Sequence, residues 1–309
     1  MRRLKHLLLT LSFGVVATGA CAQAHAAGSA TATAATRQIE IDGNTVAYRI
    51  IGTRPGVPLL LLNRFRGTMD HWDPRLIDRI AAHRRVIMFD QPGFARSSGV
   101  PPDTLTAFAT SAARVVEALG YTKVDVLGFS MGGTVALQLA LDHPTLVRKL
   151  VIAGSGPGFV ADMPPGVEPA GPSVWQVATK PVNDDDDFLF LFFEESATSR
   201  AAGRAYLDRL RQRRDAFAQQ VDARAWQAQL KSAQGANSAA TSLLPRLSQI
   251  EIPVLVANGR HDVMVPTYAS YAMAQALPDA RLIIYPDAGH GFLFQHAESF
   301  ARDLRLFLR

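Results

Sequence analysis

A serine flanked by glycines lies in the middle of the chain, where residues 128–133 read G-F-S-M-G-G. An apolar run at 124–127 precedes it and a helix-like segment follows, so Ser130 is predicted to occupy a strand-to-helix turn. Glycines on both sides permit the close backbone approach that such a turn requires. The turn would lift the hydroxyl above a sheet, next to the amide groups at the start of the helix. This arrangement is typical of a nucleophilic serine with part of an oxyanion hole.

A serine hydroxyl needs a general base, and the base needs an acid that orients it. Residues 254–262 form an apolar run that ends at Asp262, and residues 285–291 place His290 between two glycines. The chain order of serine, aspartate and histidine is the one that an open α/β sheet demands. Asp287 is a rival for the acid, but the end of a strand positions a carboxylate more rigidly than a turn does. The other candidate histidines are assigned structural or solvent roles: His143, His261 and His296.

Short strand-like runs alternate with longer helical segments, which is typical of a sheet covered by crossover helices. The first two runs are polar and alternating with D-G-N at 42–44 between them, and they predict an antiparallel hairpin at a sheet edge. The pattern predicts an α/β fold with an eight-stranded, mostly parallel sheet and helices on both faces. The predicted strands are 38–41, 46–51, 59–62, 85–89, 124–127, 149–153, 254–258 and 281–285, and the predicted helices are 104–119, 131–141, 267–276 and 299–308.

Strand signals stop between about residues 159 and 245, and this segment is predicted to be a helical cap inserted into the sheet order. Its most apolar part, F-L-F-L-F-F at 188–193, is too dense for a solvated face. Phe190 and Phe193 are therefore predicted to contact substrate, together with Phe129 beside the nucleophile, although core packing alone also explains the run. Four consecutive aspartates precede it and suit a helix start rather than a metal site, and no metal is predicted.

Together these segments resemble those of α/β-hydrolases of the lipase/esterase, prolyl iminopeptidase and cofactor-free haloperoxidase group. The resemblance covers nearly all of residues 37–309 and rests on four motifs, at 90–98, 128–133, 259–262 and 289–291. It implies the α/β-hydrolase fold, a serine–histidine–aspartate triad at the three residues named above, and no metal or organic cofactor. Family members that displace halide or open epoxides have aspartate at the nucleophile position, and the serine argues against both of those activities.

The resemblance also places a second oxyanion amide in the loop after the third strand, where the family usually has H-G-x-P-G. Here the loop reads N-R-F-R-G-T at 63–68. The matching position is Phe65, whose N–H would act together with that of Met131.

Asn63 replaces the usual histidine of this loop and Arg64 the usual glycine, and Arg66 adds a second cation. Two interpretations remain open. The arginines either bind a carboxylate of the substrate or simply pair with nearby acids, Asp70 and Asp73.

The first 26 residues have the three-part form of a secretory signal, with a basic start, an apolar run of about 14 residues and A-H-A before the cleavage point. Lipid attachment at Cys21 is the alternative. Residues 27–36 are predicted to be a flexible linker and residues 37–309 the folded domain. Removal of residues 1–26 takes three basic residues from the formal charge of +5 and leaves 29 Lys+Arg against 27 Asp+Glu. The signal predicts a secreted or periplasmic protein without stable membrane association once it is removed, and the nearly neutral balance predicts no nucleic-acid partner. The sequence leaves the oligomeric state open.

The sequence therefore predicts a serine hydrolase that cleaves a small carboxylic ester or related acyl compound through an acyl-enzyme. Two rivals share this machinery: an aminopeptidase of the prolyl iminopeptidase type, which should need acidic cap groups for the substrate amine, and a perhydrolase. A non-catalytic binding protein, or an oxygenase without a cofactor, is a rival of another class.

Overall fold

A computed structural model describes residues 29–213 and 221–309, so the predicted signal peptide and Cys21 lie outside the described residues. Eight strands form one sheet in the order β1-β2-β4-β3-β5-β6-β7-β8. Their bounds are β1 (Arg37–Ile41), β2 (Asn44–Ile51), β3 (Leu59–Leu62), β4 (Val86–Phe89), β5 (Val124–Phe129), β6 (Val147–Ala153), β7 (Val254–Gly259) and β8 (Ala280–Tyr285). Only the pairings of β1 with β2 and of β2 with β4 are antiparallel. The predicted α/β class and mostly parallel eight-stranded sheet are confirmed.

The first hairpin is closed by a two-residue turn, with Ile41 opposite Asn44. Asp42 and Gly43 both have positive φ, at 51° and 77°, which is the backbone that a tight hairpin turn requires. This edge pair is partly exposed, whereas the four leucines of β3 are at most 2% exposed. Burial on both faces explains why β3 lacks polar alternation.

Helices cover both faces of the sheet. Leu59 and Leu61 belong to one hydrophobic cluster and Leu60 and Leu62 to the other, because successive strand side chains point to opposite faces. The helices outside the cap are α1 (Ala30–Thr33), α2 (Pro74–Ala81), α3 (Leu105–Ala118), α4 (Met131–Asp142), α9 (Thr267–Ala276), α10 (Phe292–Gln295) and α11 (Ala297–Phe307). The first cluster includes side chains of α2, α10 and α11, and the second includes side chains of α3, α4 and α9.

Four helices of the described chain lie between β6 and β7, within the segment 159–245 that is predicted to form the cap. They are α5 (Pro172–Ala178), α6 (Asp185–Phe192), α7 (Ala197–Leu210) and α8 (Ala223–Gly235). A bidentate ion pair ties this segment to the sheet domain, since Arg209 Nε and Nη2 donate to the two carboxylate oxygens of Asp73 at 2.8 and 2.6 Å. Asp73 is fully buried and also caps the first turn of α2.

The described part of the segment before β1, residues 29–36, is packed against the domain, which differs from the flexible linker predicted over residues 27–36. Thr31 is 5% exposed, and its backbone N–H and hydroxyl both donate to the Asp78 carboxylate, at 2.8 and 2.5 Å. Arg213 donates to the carbonyls of Ala32 and Ala34. The linker is predicted because this Ala/Thr-rich segment has little apolar surface to bury. Hydrogen bonds hold it against the domain instead.

Within the described ranges, none of the helices is both long enough and apolar enough to span a bilayer.

Candidate active site

Ser130 lies at a strained turn between β5 and α4, with φ 55° and ψ −127°. A Cβ on Gly128 would lie 2.2 Å from the carbonyl oxygen of Gly132, and a Cβ on Gly132 would lie 2.2 Å from that of Leu62. No side chain fits at either position, so the glycines are required by close packing of β5, α4 and β3. A non-glycine residue at positive φ persists only when its surroundings enforce it, and such strain is concentrated at functional sites.

His290 and Asp262 form a buried hydrogen-bonded pair. The distance from His290 Nδ1 to Asp262 Oδ2 is 2.7 Å, and the two side chains are 1% and 0% exposed. The other carboxylate oxygen of Asp262 accepts the backbone N–H groups of Met264 and Val265, at 2.8 and 2.9 Å. Both oxygens are therefore fixed, and one of them sets the orientation of the imidazole.

Asp287, the rival acid, does not contact His290. It accepts a hydrogen bond from Thr198 and lies half-buried at the surface of the cap junction. Two of the other histidines have structural partners: His261 contacts Glu194, and His296 contacts the carbonyl of Pro286.

Ser130 and His290 both line one cavity of about 650 Å³ between the sheet domain and the cap. The cavity walls come from the loop after β3, from α6 and its preceding turn, and from the loop after β7. The apolar residues that line it are Phe65, Ala178, Val182, Phe188, Leu191, Phe192, Val221 and Met264. A concave apolar site with a few convergent polar groups is typical of a small-molecule site.

The two predicted oxyanion residues lie on adjacent elements. Phe65 lines the cavity from the loop after β3, and Met131 is the first residue of α4, where the N–H has no carbonyl partner within its own helix. The site for a Cβ on Gly132 lies within 2.7 Å of the carbonyl oxygens of Leu62 and Asn63, so the start of α4 packs directly against this loop.

The unusual side chains of this loop have separate tasks. Asn63 donates to the carbonyl of Phe89 and accepts from Trp72 Nε1, at 2.9 and 2.8 Å. Arg66 donates to three carbonyls of the cap, those of Ala178, Lys180 and Pro181. Asn63 therefore anchors the loop to the sheet, and Arg66 anchors it to the cap.

Arg64 lies in the cavity wall and is 6% exposed. The alternative in which Arg64 and Arg66 pair with nearby acids is wrong for the described residues. Asp70 instead pairs with Arg49 and Arg96, and Asp73 pairs with Arg209. These ion pairs and their hydrogen bonds lower the pKa of Asp70 despite its burial, which acts in the opposite direction.

The structure does not place the predicted substrate-contacting phenylalanines in the cavity wall. Phe129 is 1% exposed and packs its ring 5.0 Å from the centre of the His290 ring, so it supports the imidazole from the core. Phe193 is 2% exposed and packs against Tyr206, and Phe190 packs against the hydrophobic core.

Phe188, Leu191 and Phe192 line the cavity instead. The spacing i, i+3 and i+4 puts these three on one face of α6, so the helical period decides which side of the apolar run faces the cavity. The helix begins where the aspartates predict, because Asp184 accepts from the N–H of Asp187 and the Asp187 carboxylate accepts from the N–H of Asp184. Over the described residues no cluster of His, Cys, Asp or Glu could hold a metal ion.

His71 is a cavity residue that the sequence did not single out. Its Nδ1 accepts the backbone N–H of Thr68 at 3.0 Å, and burial together with the nearby Arg64 charge lowers its pKa to about 3. The imidazole is therefore neutral at physiological pH, with its proton on Nε2. His71 lies nine residues after the end of β3 and belongs to no recognisable motif, so only the fold shows that it lines the cavity.

Asp90 is a buried acid beneath the loop after β3. One of its carboxylate oxygens accepts the N–H of Met69 at 2.8 Å, and the other has no hydrogen-bond partner within the described residues. Burial raises its pKa to about 7, opposed by the Met69 hydrogen bond and increased further by the nearby Asp70 charge.

Comparisons with known proteins agree with this architecture. A family model described as alpha/beta hydrolase fold matches residues 57–297. The 2-hydroxy-6-oxononadienedioate/2-hydroxy-6-oxononatrienedioate hydrolase 1 of Dechloromonas aromatica is 30% identical over 235 residues, which cover 74% of this chain and 78% of that protein. The pimeloyl-[acyl-carrier protein] methyl ester esterase of Nitrosomonas europaea is 30% identical over 252 residues, which cover 80% and 94%. A solved alpha/beta hydrolase fold protein from Chitinophaga pinensis is 36% identical with a TM-score of 0.81, covering 90% of this chain and 98% of its own.

Proposed function

The chain belongs to the alpha/beta hydrolase fold family and is a hydrolase, and on that premise we propose that it cleaves a small carboxylic ester or related acyl compound with Ser130 as nucleophile. One observation carries the proposal. Ser130, on a strained turn, lines the same cavity as His290, whose Nδ1 is hydrogen-bonded to the buried carboxylate of Asp262. This is the geometry of a nucleophile, a base and an orienting acid.

In the proposed reaction His290 Nε2 accepts the proton of Ser130 as its hydroxyl oxygen attacks the acyl carbon. Asp262 stabilises the imidazolium that forms, and the N–H groups of Met131 and Phe65 stabilise the oxyanion. The alcohol then leaves with the proton from the imidazolium, and an acyl-serine remains. A water molecule attacks this ester, gives its proton to the same imidazole and releases the acid, which restores the serine.

The cavity supports a small substrate. Its volume is about 650 Å³, within the range of drug-sized ligand sites, and its walls are largely aromatic and aliphatic. One curated relative is named a methyl ester esterase, and another is named a hydrolase of a dienedioate. The first of these names describes ester hydrolysis, which is the reaction class proposed for this chain.

The decisive experiment is labelling with a fluorophosphonate probe, followed by a panel of short esters. We expect the wild type to label and Ser130→Ala not to label. Ser155→Ala is the matched control, because Ser155 is buried one strand away and does not line the cavity. A wild type that fails to label, or a Ser130→Ala variant that labels equally, would refute the proposal.

An aminopeptidase is the second candidate, and the exposed acids at the first turn of α6 favour it. Asp184, Asp185 and Asp186 line the cavity and could bind a substrate amine. Asp184 already caps the helix and Asp185 pairs with Arg211 at 2.6 Å. Aminoacyl amides belong in the same panel, and their cleavage without ester turnover would favour the peptidase.

Export and the mature start near residue 27 are also proposals, based on the predicted signal peptide. Expression of the whole chain, fractionation and N-terminal sequencing of the mature protein test them. Cytoplasmic protein that retains residue 1 would contradict export, and a lipid-modified Cys21 would favour the anchored alternative.

A further inference from the structure

We propose that Arg64 binds a carboxylate of the substrate, so that the preferred acyl compound carries one negative charge a few carbon atoms from the bond that is cleaved. This inference rests on the proposed function for its catalytic part. Binding of the carboxylate at Arg64 does not depend on the proposed function, because an anion can bind in the cavity whether or not Ser130 is the nucleophile.

The first argument is the state of the guanidinium. Arg64 is 6% exposed, and its Nη1 donates to the Phe65 carbonyl at 2.8 Å. Its Nε and Nη2 are buried and have no hydrogen-bond partner within the described residues. Burial lowers its pKa to about 10, so it is still charged at neutral pH. A buried cation with two unused donors is costly, and a ligand that accepts from both would remove that cost.

The second argument is that no neighbouring group within the described residues neutralises the charge. Tyr206 lies beside Arg64 and raises its pKa in opposition to burial, but its hydroxyl is an uncharged group that donates to the carbonyl of His71 at 2.9 Å. Asp70 and Asp73 are bound to other arginines. Arg64 therefore forms no ion pair within the described part of the chain. The aspartates at the start of α6 also line the cavity, but they are exposed, and water screens exposed charges.

The third argument concerns the charge of the ligand. Arg64 supplies one buried positive charge, and His71 supplies a neutral imidazole whose proton is on Nε2. The other two arginines that line the cavity have partners in the cap: Arg66 donates to cap carbonyls, and Arg211 pairs with Asp185. The pair of Arg64 and His71 matches a carboxylate, because a carboxylate carries one negative charge and its two oxygens can accept two parallel hydrogen bonds from a planar guanidinium. A phosphate carries nearly two charges at neutral pH, and burial would leave the second one uncompensated.

The fourth argument is position. The Arg64 Cζ lies 4.9 Å from the centre of the Phe188 ring and 5.0 Å from that of Phe192. The centre of the Phe192 ring lies 5.3 Å from that of His290, so the guanidinium is no more than about 10 Å from the imidazole. A carboxylate on Arg64 and an acyl carbon at Ser130 are then separated by a short chain. Monoesters of short dicarboxylic acids have this form.

Binding is tested in the Ser130→Ala protein by calorimetric titration with monomethyl glutarate. We expect the dissociation constant to rise about 10- to 100-fold when Arg64→Gln is added, because hydrogen bonds to a charged group are lost. Arg75→Gln is the matched control, since its guanidinium pairs with Glu298 at the surface and does not line the cavity, and it should keep the tighter binding. Equal binding with and without Arg64→Gln would overturn the inference.

Catalysis is tested with a matched pair of esters, monomethyl glutarate and methyl 5-methylhexanoate, in which an isopropyl group replaces the carboxylate. The readout is the ratio of the two kcat/KM values, measured by methanol release. Arg64→Gln should lower this ratio about 10- to 100-fold, and Arg64→Lys should restore part of it. A merely structural role of Arg64 would lower both values together and leave the ratio unchanged, which would also overturn the inference.

The two proposals fail in different ways. If Ser130 is not the nucleophile, fluorophosphonate labelling and turnover of both esters are absent, yet the binding of monomethyl glutarate that depends on Arg64 persists. If Arg64 is not an anion site, labelling and turnover persist without preference for the charged ester.

Discussion

Replacement of Asp262 by asparagine is the sharpest single test of the site, because the structure fixes how the new amide must sit. The Oδ1 of Asp262 accepts two backbone N–H groups, those of Met264 and Val265. An amide nitrogen at the position of Oδ1 would face two N–H donors and could accept from neither. The carbonyl oxygen of the asparagine must therefore occupy that position. The amide NH₂ then occupies the position of Oδ2 and faces His290 Nδ1 at about the present 2.7 Å.

A donor at that position reverses the tautomer of His290. Nδ1 must become an acceptor, and the ring proton moves to Nε2, which can then no longer accept the proton of Ser130. Loss of the correct tautomer in a serine–histidine–aspartate triad lowers kcat by about 10⁴-fold, equivalent to roughly 5 kcal/mol in the activation barrier. The exchange is isosteric and keeps both backbone hydrogen bonds, so the folded structure should persist.

The assay is the rate of fluorophosphonate labelling together with kcat for a short ester, with the urea midpoint as a check on folding. Asp287→Asn is the control. Asp287 has a φ of 49°, a conformation that asparagine tolerates well, and it contacts Thr198 rather than His290. The control should label at a rate close to the wild type. Asp262→Asn activity within tenfold of the wild type, or a large loss in Asp287→Asn, would refute the assignment.

Three further predictions concern stability. Gly132→Ala should destabilise the fold by about 3 kcal/mol or more in thermal melts, because its Cβ would lie 2.2 Å from a backbone oxygen of Leu62. The raised pKa of Asp90, about 7, means that the folded state binds more protons than the unfolded chain between about pH 4 and 7, so its contribution to stability falls as pH rises through that window. Asp90→Asn should remove this pH-dependent loss, which amounts to roughly 4 kcal/mol at most. The difference in urea midpoint between the variant and the wild type should therefore change from pH 4 to pH 8, and an equal difference at both pH values would contradict the prediction. Arg209→Met should lower the free energy of unfolding in urea by about 3 kcal/mol because it leaves the fully buried Asp73 carboxylate uncompensated, and Asp73→Asn in the same protein should recover part of that loss.

Residues whose surroundings are local in sequence were predictable. The strands after the first hairpin are short, mostly apolar runs bounded by turn residues, and β3 and α9 have the predicted bounds, 59–62 and 267–276. The position of Ser130 followed from the glycines around it, because the steric reason for those glycines is a property of the turn itself.

It was harder to predict which face of a helix packs against the core and which face lines the cavity. In α6 the apolar run is nearly continuous, so its composition does not say which side faces the cavity, and only the helical period separates Phe188 and Phe192 from Phe190 and Phe193. Helix α2 was missed although Asp73 and Pro74 mark its start, because its eight residues are too short for a strong periodic pattern. The partners of Arg64 and Arg66 depend on cap residues more than 100 positions away.

The loop after β3 shows why an altered family motif can be more informative than a conserved-looking one. A glycine in place of Arg64 would add no charge to the cavity and would leave the loop with the N–H of Phe65, the proposed oxyanion donor. Here Asn63 and Arg66 hold the loop through hydrogen bonds to the sheet and the cap, and the Arg64 guanidinium adds one hydrogen bond to the loop, from Nη1 to the Phe65 carbonyl. Its other two donors have no partner within the described residues and lie beside the Phe192 ring, which also contacts His290. Because Arg64 is next to Phe65, the proposed oxyanion donor, binding of the substrate carboxylate and placement of the acyl group would be linked. A carboxylate bound at Arg64 would orient the acyl carbon toward Ser130.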